Sequence, residues 1–550
     1  MSNEKYTIGL DYGSLSARAL LVRVSDGKIM AEACFDYPHA VMDTCLPGSD
    51  EVLPPDFALQ HPQDYLDALD EILPTVIKNS GVDPEDVIGI CVDFTTCTVI
   101  PVLGDGTPVC FLDEYKNEPH AYAKLWKHHA AQPYADRLTA LAEERGEEWL
   151  SDYGGKVSSE WMFPKIWEVL DRAPDIYALT DGFVEGGDFI TRVLTGKRTK
   201  GYVFSTSKAI YDYYKGYPSK EFFAALDPRL ENVVEEKLNA PMVFSGECAG
   251  YICDAAAKRF GISQKTAVAS PMPDAHIATV ALNMKSSGDL CAILGTSACY
   301  MLLGEKYVPV KGISGIHKDS LTPGFYGYEA GLCCFGDHFA WVAENVATEE
   351  YVKEAESRGI SMMKLLTEKA AKKKPGESGL LALNWWNGNR SVLVDSALSG
   401  MILGMDLRTK PEDIMRALLE ANTFGTRLIV ETYESSGLEV KRIIAGGGIP
   451  QKNPFIMQLF ADVIGKEIWI AGTTQLPALS GAIYAAAAAG VPLTEAMDNM
   501  SSISDVIYRP NPEATAVYDK LYEEYKRLYD YFGRGENNVM KTLRKIREEA

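Results

Sequence analysis

Residues 271–303 read Pro271-Met-Pro-Asp-Ala-His276, an apolar run to Met284, a turn Lys285-Ser-Ser-Gly-Asp289, then Leu290-Cys-Ala-Ile-Leu-Gly-Thr-Ser-Ala-Cys-Tyr-Met-Leu-Leu303. Two prolines end whatever precedes Asp274. Ile277, Val280 and Ala281 then share one helical face. Asp274 is therefore expected at a helix start, where the dipole favours a carboxylate. The second half reads as two strands joined at Gly295-Thr296-Ser297. Glycine admits positive φ and close backbone approach there, and the hydroxyls that follow can donate to a phosphate. A carboxylate base and a phosphate-cradling turn thus lie on one short stretch, as phosphoryl transfer requires.

Taken singly, Asp274 is a helix cap and Gly295-Thr296-Ser297 a hairpin turn. Recurrence changes that reading. Residues 6–23 read Tyr-Thr-Ile-Gly-Leu-Asp-Tyr-Gly-Ser-Leu-Ser-Ala-Arg-Ala-Leu-Leu-Val-Arg: strand, Gly13-Ser14 turn, strand, with Asp11 ending the first strand. The plan repeats that of 290–303, so a phosphate-binding hairpin is duplicated, one in each half. Asp11 is a candidate to orient a nucleotide-bound Mg²⁺ through water. Arg18 is a candidate to meet phosphate oxygens.

Outward from these hairpins, residues 62–80 read as an amphipathic helix. Ile88-Gly-Ile-Cys-Val-Asp93 reads as a central parallel strand. It runs into the hydroxyl-rich Asp93-Phe-Thr-Thr-Cys-Thr98, and open α/β sheets bind ligands at such strand ends. A polyol or sugar suits those hydroxyls. Gly104-Asp105-Gly106 is a tight turn. Residues 111–200 read as helical and charge-rich, with His120, His128 and His129 on a solvated helix and not a metal site. Glu185 to Gly196 reads as a capped helix. Lys208, beside the hydroxyls of Ser205, Thr206 and Ser207, is a candidate substrate contact. Thr409-Lys-Pro-Glu412 reads as a capping box that opens a helix with Ile414, Leu418, Ala421, Gly425 and Leu428 on one face. Lys441 to Gly448 is a strand entering three glycines, with spacings that match neither a Walker loop nor a dinucleotide fingerprint. The stripe Tyr518, Tyr522, Tyr525 and Tyr529 reads as packing.

Composition sets limits on all of this. The 550 residues predict more than one domain, and 46% hydrophobic with 24% charged residues is an ordinary globular balance. The net charge of −22 argues against nucleic acid or an anionic membrane as partner. The beginning of the chain lacks a basic region followed by an apolar one, and no apolar run reaches membrane-spanning length. Eleven cysteines, an odd number without a C-x-x-C, predict reduced and mostly buried thiols in a cytoplasmic protein.

The motifs Gly9-Leu-Asp-Tyr-Gly-Ser14, Asp93-Phe-Thr-Thr-Cys-Thr98, Pro273-Asp-Ala-His276, Gly295-Thr-Ser297, Tyr328-Glu-Ala-Gly331, Trp385-Trp-Asn-Gly-Asn-Arg390 and Gly446-Gly-Gly448 occur in an order and spacing that is specific. Over about residues 6–535 the chain resembles the FGGY carbohydrate kinases and, within them, the ribulokinase group. The resemblance implies an α/β protein of two ribonuclease-H-like (actin-like ATPase) domains with a cleft between them. The expected domains are 1–285, sugar-binding with the catalytic base, and 286–550, nucleotide-binding, with a hinge near Lys285 to Asp289. It implies transfer of phosphate from MgATP to the terminal 5-hydroxyl of a ketopentose, as in L-ribulose to L-ribulose 5-phosphate in L-arabinose breakdown. Domain closure would exclude water.

By the same resemblance Asp274 is the catalytic base, and its unperturbed pKa of about 3.9 would keep it ionised. Thr96, Lys208 and Glu329 would contact the sugar. Gly295 and Thr296 would contact phosphate, with Gly446, Gly447, Lys452 and Asn453 along the adenosine. A homodimer is implied. His128, where related chains carry Asp, and Thr96, where a smaller residue is common, bear on which sugar is bound. A xylulose, D-ribulose or other polyol kinase is the alternative within the family. A non-catalytic actin-like ATP- or sugar-binding module is the alternative outside it, and a retained Asp274 argues against that.

Overall fold

The computed structural model describes residues 4–549. Contacts divide the chain into two units. The first holds residues up to Lys285 together with His317–Gly327 and Gln475–Ser502; the second holds Ser286–Ile316, Tyr328–Thr474 and the residues from Ile503 on. A single cut at 285/286 therefore gives only the first boundary. The returning helix Leu476–Ala488 packs on the strands Tyr6–Tyr12 and Val87–Phe94 of the first unit. Two glycines permit this. A Cβ at Gly9 would stand 1.7 Å from the Ala478 carbonyl oxygen, and one at Gly89 would stand 2.2 Å from that of Ala485.

The sheet of the first unit runs Cys248–Tyr251, Ala267–Ala269, Val87–Phe94, Tyr6–Tyr12, Ser16–Arg23, Ile29–Asp36. Tyr6–Tyr12 pairs antiparallel with Ser16–Arg23 and parallel with Val87–Phe94. Val87–Phe94 is buried along almost its whole length, as a continuous apolar run in a central parallel strand should be. The helix Pro62–Ser80 covers this sheet. It starts at a Pro after the capping His61 and stops at left-handed Gly81.

The second unit repeats the plan. Asp289–Leu294 pairs antiparallel with Ala298–Gly304 and parallel with Arg442–Gly446, which pairs parallel with Ile468–Ala471. In both units a hairpin is thus flanked by a parallel strand on its first-strand side, and the duplication expected from the two Gly-Ser-type turns is present. The long helix Pro411–Ser435 packs under this sheet. Its capping box is shifted by one residue from the expected Thr409/Glu412: Lys410 caps, and the Asp413 carboxylate accepts the Lys410 N–H at 2.9 Å. Tyr518, Tyr522, Tyr525 and Tyr529 of Pro512–Gly533 are all buried, three of them packing on Phe424.

Residues 111–200 are not one helical stretch. Short 3₁₀ turns and the strand pieces Ala123–Lys124 and Gly182–Glu185 interrupt it. Of the eleven cysteines five are buried and three, Cys34, Cys45 and Cys248, are exposed, so burial of the thiols is less general than expected. Among the described residues no helix is long and apolar enough to cross a membrane.

Candidate active site

In the first unit three carboxylates gather at the C-terminal ends of neighbouring strands. Asp11 and Asp93 face one another in register on parallel strands. Met272 pairs with Asp93, and Pro273 leads straight into the helix Asp274–Ala281 with Asp274 in its first turn. Asp93 is fully buried, and among the described residues neither of its oxygens has a hydrogen-bond partner. Burial pushes its carboxyl well above the usual range, and the charges of Asp11 and Asp274 push the same way. Asp93 therefore carries a proton and can give it to Asp11 in a hydrogen bond. Asp11 is raised by burial and held down by Arg18, whose guanidinium lies 3.9 Å away, and by Asp93.

Asp274 is not the unperturbed carboxylate expected from sequence. Burial first, then the charge of Asp11, pushes it up to about 7, against the Ala275 N–H that it accepts at 2.7 Å. The residue keeps part of its surface open. A base poised near neutrality suits proton abstraction better than one near 4.

The hydroxyl-rich loop follows Asp93. Thr95 N–H donates to Tyr12 O at 3.0 Å, and the Thr95 and Thr98 hydroxyls bond at 2.9 Å. Thr96 remains partly exposed. Lys208 ends the helix Tyr202–Lys208; it is 6% exposed, with its ammonium 5.9 Å from the Trp161 ring centre. In the first turn, the Ser14 hydroxyl accepts the Trp126 indole N–H at 3.1 Å and the Ser14 carbonyl accepts from Gln60 at 2.8 Å, while Gly13 N–H closes the turn on Ser16 O.

The expected solvated helix at 120–129 is instead a buried polar cluster. His128 is 0% exposed. Its Nδ1 accepts the Ala58 N–H at 3.3 Å, so its Nε2–H donates to Glu168, 2.9 Å away. Lys124 meets Glu168 at 3.1 Å and donates to His120 at 3.0 Å. Burial, with the neighbouring Lys124 charge, lowers His128 and His120 to about 3, so both rings are neutral.

The second unit holds the other expected residues. The Gly295-Thr296-Ser297 turn closes through Gly295 N–H to Ser297 O at 3.0 Å. It is braced by the start of the helix Gly336–Asn345, where Phe335 N–H meets Thr296 O at 2.8 Å and Gly336 N–H meets Gly295 O at 3.0 Å. Gly446 ends its strand in register with Ile293. Gly447 follows at φ 101°, ψ −178°, a region open to glycine, and a Cβ there would stand 2.6 Å from Leu294 O. The glycine stretch and the Gly295 turn are thus neighbours. Lys452 is exposed, and the Asn453 side-chain oxygen caps the helix Pro454–Ile464 at Ile456 N–H, 3.2 Å. Glu329 lies on Tyr326–Leu332, partly exposed, its carbonyl accepting from Ser314 N–H at 2.7 Å.

Sequence reasoning did not single out Asp93 as a site residue. The signal was present: Leu10-Asp11-Tyr12 and Val92-Asp93-Phe94 share an apolar–Asp–aromatic ending, and the Tyr12 and Phe94 rings stack at 5.1 Å.

Paired carboxylates at the ends of two central parallel strands and a duplicated α/β unit fit a phosphotransferase of the actin-like ATPase fold. Consistent with this, the model of the FGGY family of carbohydrate kinases, N-terminal domain, matches residues 6–281, and that of the C-terminal domain matches 290–490. The chain belongs to the FGGY family of carbohydrate kinases, which transfer phosphate from ATP to an alcohol group. It is 49% identical over 539 residues to a protein of Bacillus licheniformis named ribulokinase, covering 97% of this chain and 98% of that one. A ribulokinase of Halalkalibacterium halodurans is 49% identical over 549 residues, covering 99% and 98%. Among solved structures, the xylulose kinase from Rhodospirillum rubrum superposes with a TM-score of 0.75 at 21% identity, covering 96% of this chain and 98% of that one. The gluconate kinase from Lactobacillus acidophilus does so with 0.77 at 18%, covering 97% and 99%. At those identities the two structures share the fold.

Proposed function

We propose that the protein phosphorylates the 5-hydroxyl of L-ribulose with MgATP, as in L-arabinose breakdown. The observation that carries this reading is near-half identity, over almost the full length, to chains named ribulokinase. The alternative, a xylulose, D-ribulose or other polyol kinase, has the support of fold likeness only.

Asp274 takes the proton of the attacking hydroxyl as its oxygen bonds to the γ-phosphorus; the bond to the β–γ bridging oxygen breaks, and ADP leaves. Thr96, Lys208 and Glu329 hold the sugar. Gly295 and Thr296 cradle the phosphates, and Gly446, Gly447, Lys452 and Asn453 line the adenosine.

The buried Asp93 oxygens without donors, beside Asp11, are hard oxygen ligands that fit a Mg²⁺ ion. Asp11, through water, and Asp93, on losing its proton, would hold it. When bound, Mg²⁺ neutralises charge on the β- and γ-phosphates. Gly13, Ser14 and Arg18 frame the same edge.

The test is MgATP consumption measured against L-ribulose, D-ribulose, L-xylulose, D-xylulose and glycerol. Preference for L-ribulose is the expected result. Preference for another polyol would overturn the substrate and keep the kinase.

A further inference from the structure

The loop that carries Thr96 is held in a costly shape. Cys97 has φ 61°, the left-handed region. For a residue with a Cβ this conformation is strained and persists only where the surroundings impose it. Cys97 is neither Gly nor Asn, so the chain does not favour the turn locally.

Two buried charged residues from elsewhere in the first unit grip this one residue. Lys165, in the helix Met162–Arg172, is 0% exposed. Its ammonium donates to Cys97 O at 2.6 Å, Leu125 O at 2.9 Å and Lys124 O at 3.3 Å. All three donors thus go to backbone, from two different segments. Glu185, 1% exposed at the end of the strand Gly182–Glu185, accepts the Thr98 N–H at 3.1 Å. The Cys97–Thr98 peptide is held at its carbonyl by the Lys165 ammonium and at its amide by the Glu185 carboxyl group.

Burial pushes Lys165 down and Glu185 up, and each is held back in part by the other's charge. Buried ionisable groups are seldom the most stable filling for a core; apolar packing of the same volume is often better. Here the pair does what apolar side chains cannot. It supplies a donor to Cys97 O and an acceptor to Thr98 N–H in the left-handed turn, and ties that turn to the carbonyls of Lys124 and Leu125.

We propose that Lys165 and Glu185 are positioning residues that lock Cys97 in the left-handed conformation and thereby aim Thr96 at the sugar, setting sugar affinity without touching it. This rests on the ketopentose-kinase reading, which puts the sugar at Thr96 and Lys208. Of the groups proposed to hold MgATP only Asp93 shares the Thr96 segment, four residues before Cys97; the others belong to other segments.

The test is Lys165→Met, measured as KM for L-ribulose, Kd for ATP without sugar, and hydrogen exchange at the Cys97 and Thr98 amides. A misplacement of about 1 Å in a positioning group costs about 100-fold, so sugar KM is expected to rise about 100-fold while the ATP Kd stays within about twofold of wild type. Exchange at the two amides should rise more than in the surrounding strands.

The second variant is Cys97→Gly in the Lys165→Met background. Glycine takes positive φ without strain, so the sugar KM should return to within about tenfold of wild type. A core-filling role for Lys165 predicts no such rescue. Should Lys165→Met fail to fold, Glu185→Met, which removes the acceptor for Thr98 N–H, carries the same three measurements.

Unchanged sugar KM and unchanged amide protection in a folded variant would overturn the proposal. So would sugar KM and ATP Kd worsening together without rescue. Wild-type protein that turns over no ketopentose would sink the kinase substrate instead; the amide protection would still decide the clamp.

Discussion

Asp11 and Asp93 are register partners on adjacent parallel strands, two carboxylates meeting where an apolar sheet ends. Both are buried, and only one can be ionised at modest cost. Asp93 keeps its proton in the fold and would lose it in the unfolded chain above about pH 4. The folded state therefore binds more protons, and stability from this group falls as pH rises from that value. Asp93→Asn keeps the shape and a donor for Asp11 and has nothing to ionise. Its Tm gain over wild type should be larger at pH 8 than at pH 5. An equal effect at both would show that Asp93 is charged in the folded protein.

Asp274, raised to about 7 by burial and by Asp11, must be deprotonated to act as a base. Sugar-dependent kcat/KM should therefore rise with pH to a plateau above about 7. Asp11→Asn removes a neighbouring negative charge and should move that rise to lower pH. Asp274→Asn should bind sugar and nucleotide and lose about 10²- to 10⁴-fold in turnover. Near-normal turnover in that variant would remove the residue from its role.

Gly447→Ala tests the second unit. The new Cβ would meet Leu294 O at 2.6 Å, in a backbone region that only glycine adopts freely. A cost on the order of 1–3 kcal/mol is expected. It should fall on ATP Kd and on stability while L-ribulose binding stays as in wild type. Weakened sugar binding with intact nucleotide affinity would contradict the assignment of the glycine stretch.

The parts of this fold that were legible from sequence were written in short windows. The helix Pro62–Ser80 shows its own period and stop signal, and the hairpins show their turn glycines. What stayed hidden depends on partners far along the chain. Trp126-Lys-His-His129 looks solvated until Glu168 and Ala58 are brought against His128. The charge state of Asp274 depends on burial and on Asp11. Lys165 looks like an ordinary helix lysine until the Cys97 carbonyl meets it. The shift of the capping box from Thr409 to Lys410 is smaller in kind: two neighbouring acidic residues, Glu412 and Asp413, offered alternative registers, and packing selected the second.

Position 128 separates stability from sugar choice. From sequence, His128 bears on which sugar is bound. In the fold it is fully buried, and each ring nitrogen has a partner, Ala58 N–H at 3.3 Å and Glu168 at 2.9 Å. The ring also packs edge-on against Phe57, with centres 4.6 Å apart. His128→Asp would withdraw the donor from Glu168 and set a second carboxylate beside it in a dry site. Lys124 would then face two acids. Breaking a buried charge arrangement costs about 3–5 kcal/mol, so a marked fall in Tm is expected, partly relieved at low pH as the new carboxylate takes a proton. The order of preference among ketopentoses should not change in the folded protein. An unchanged Tm with a reordered sugar preference would show that His128 reaches the substrate and that the buried cluster opens when sugar binds.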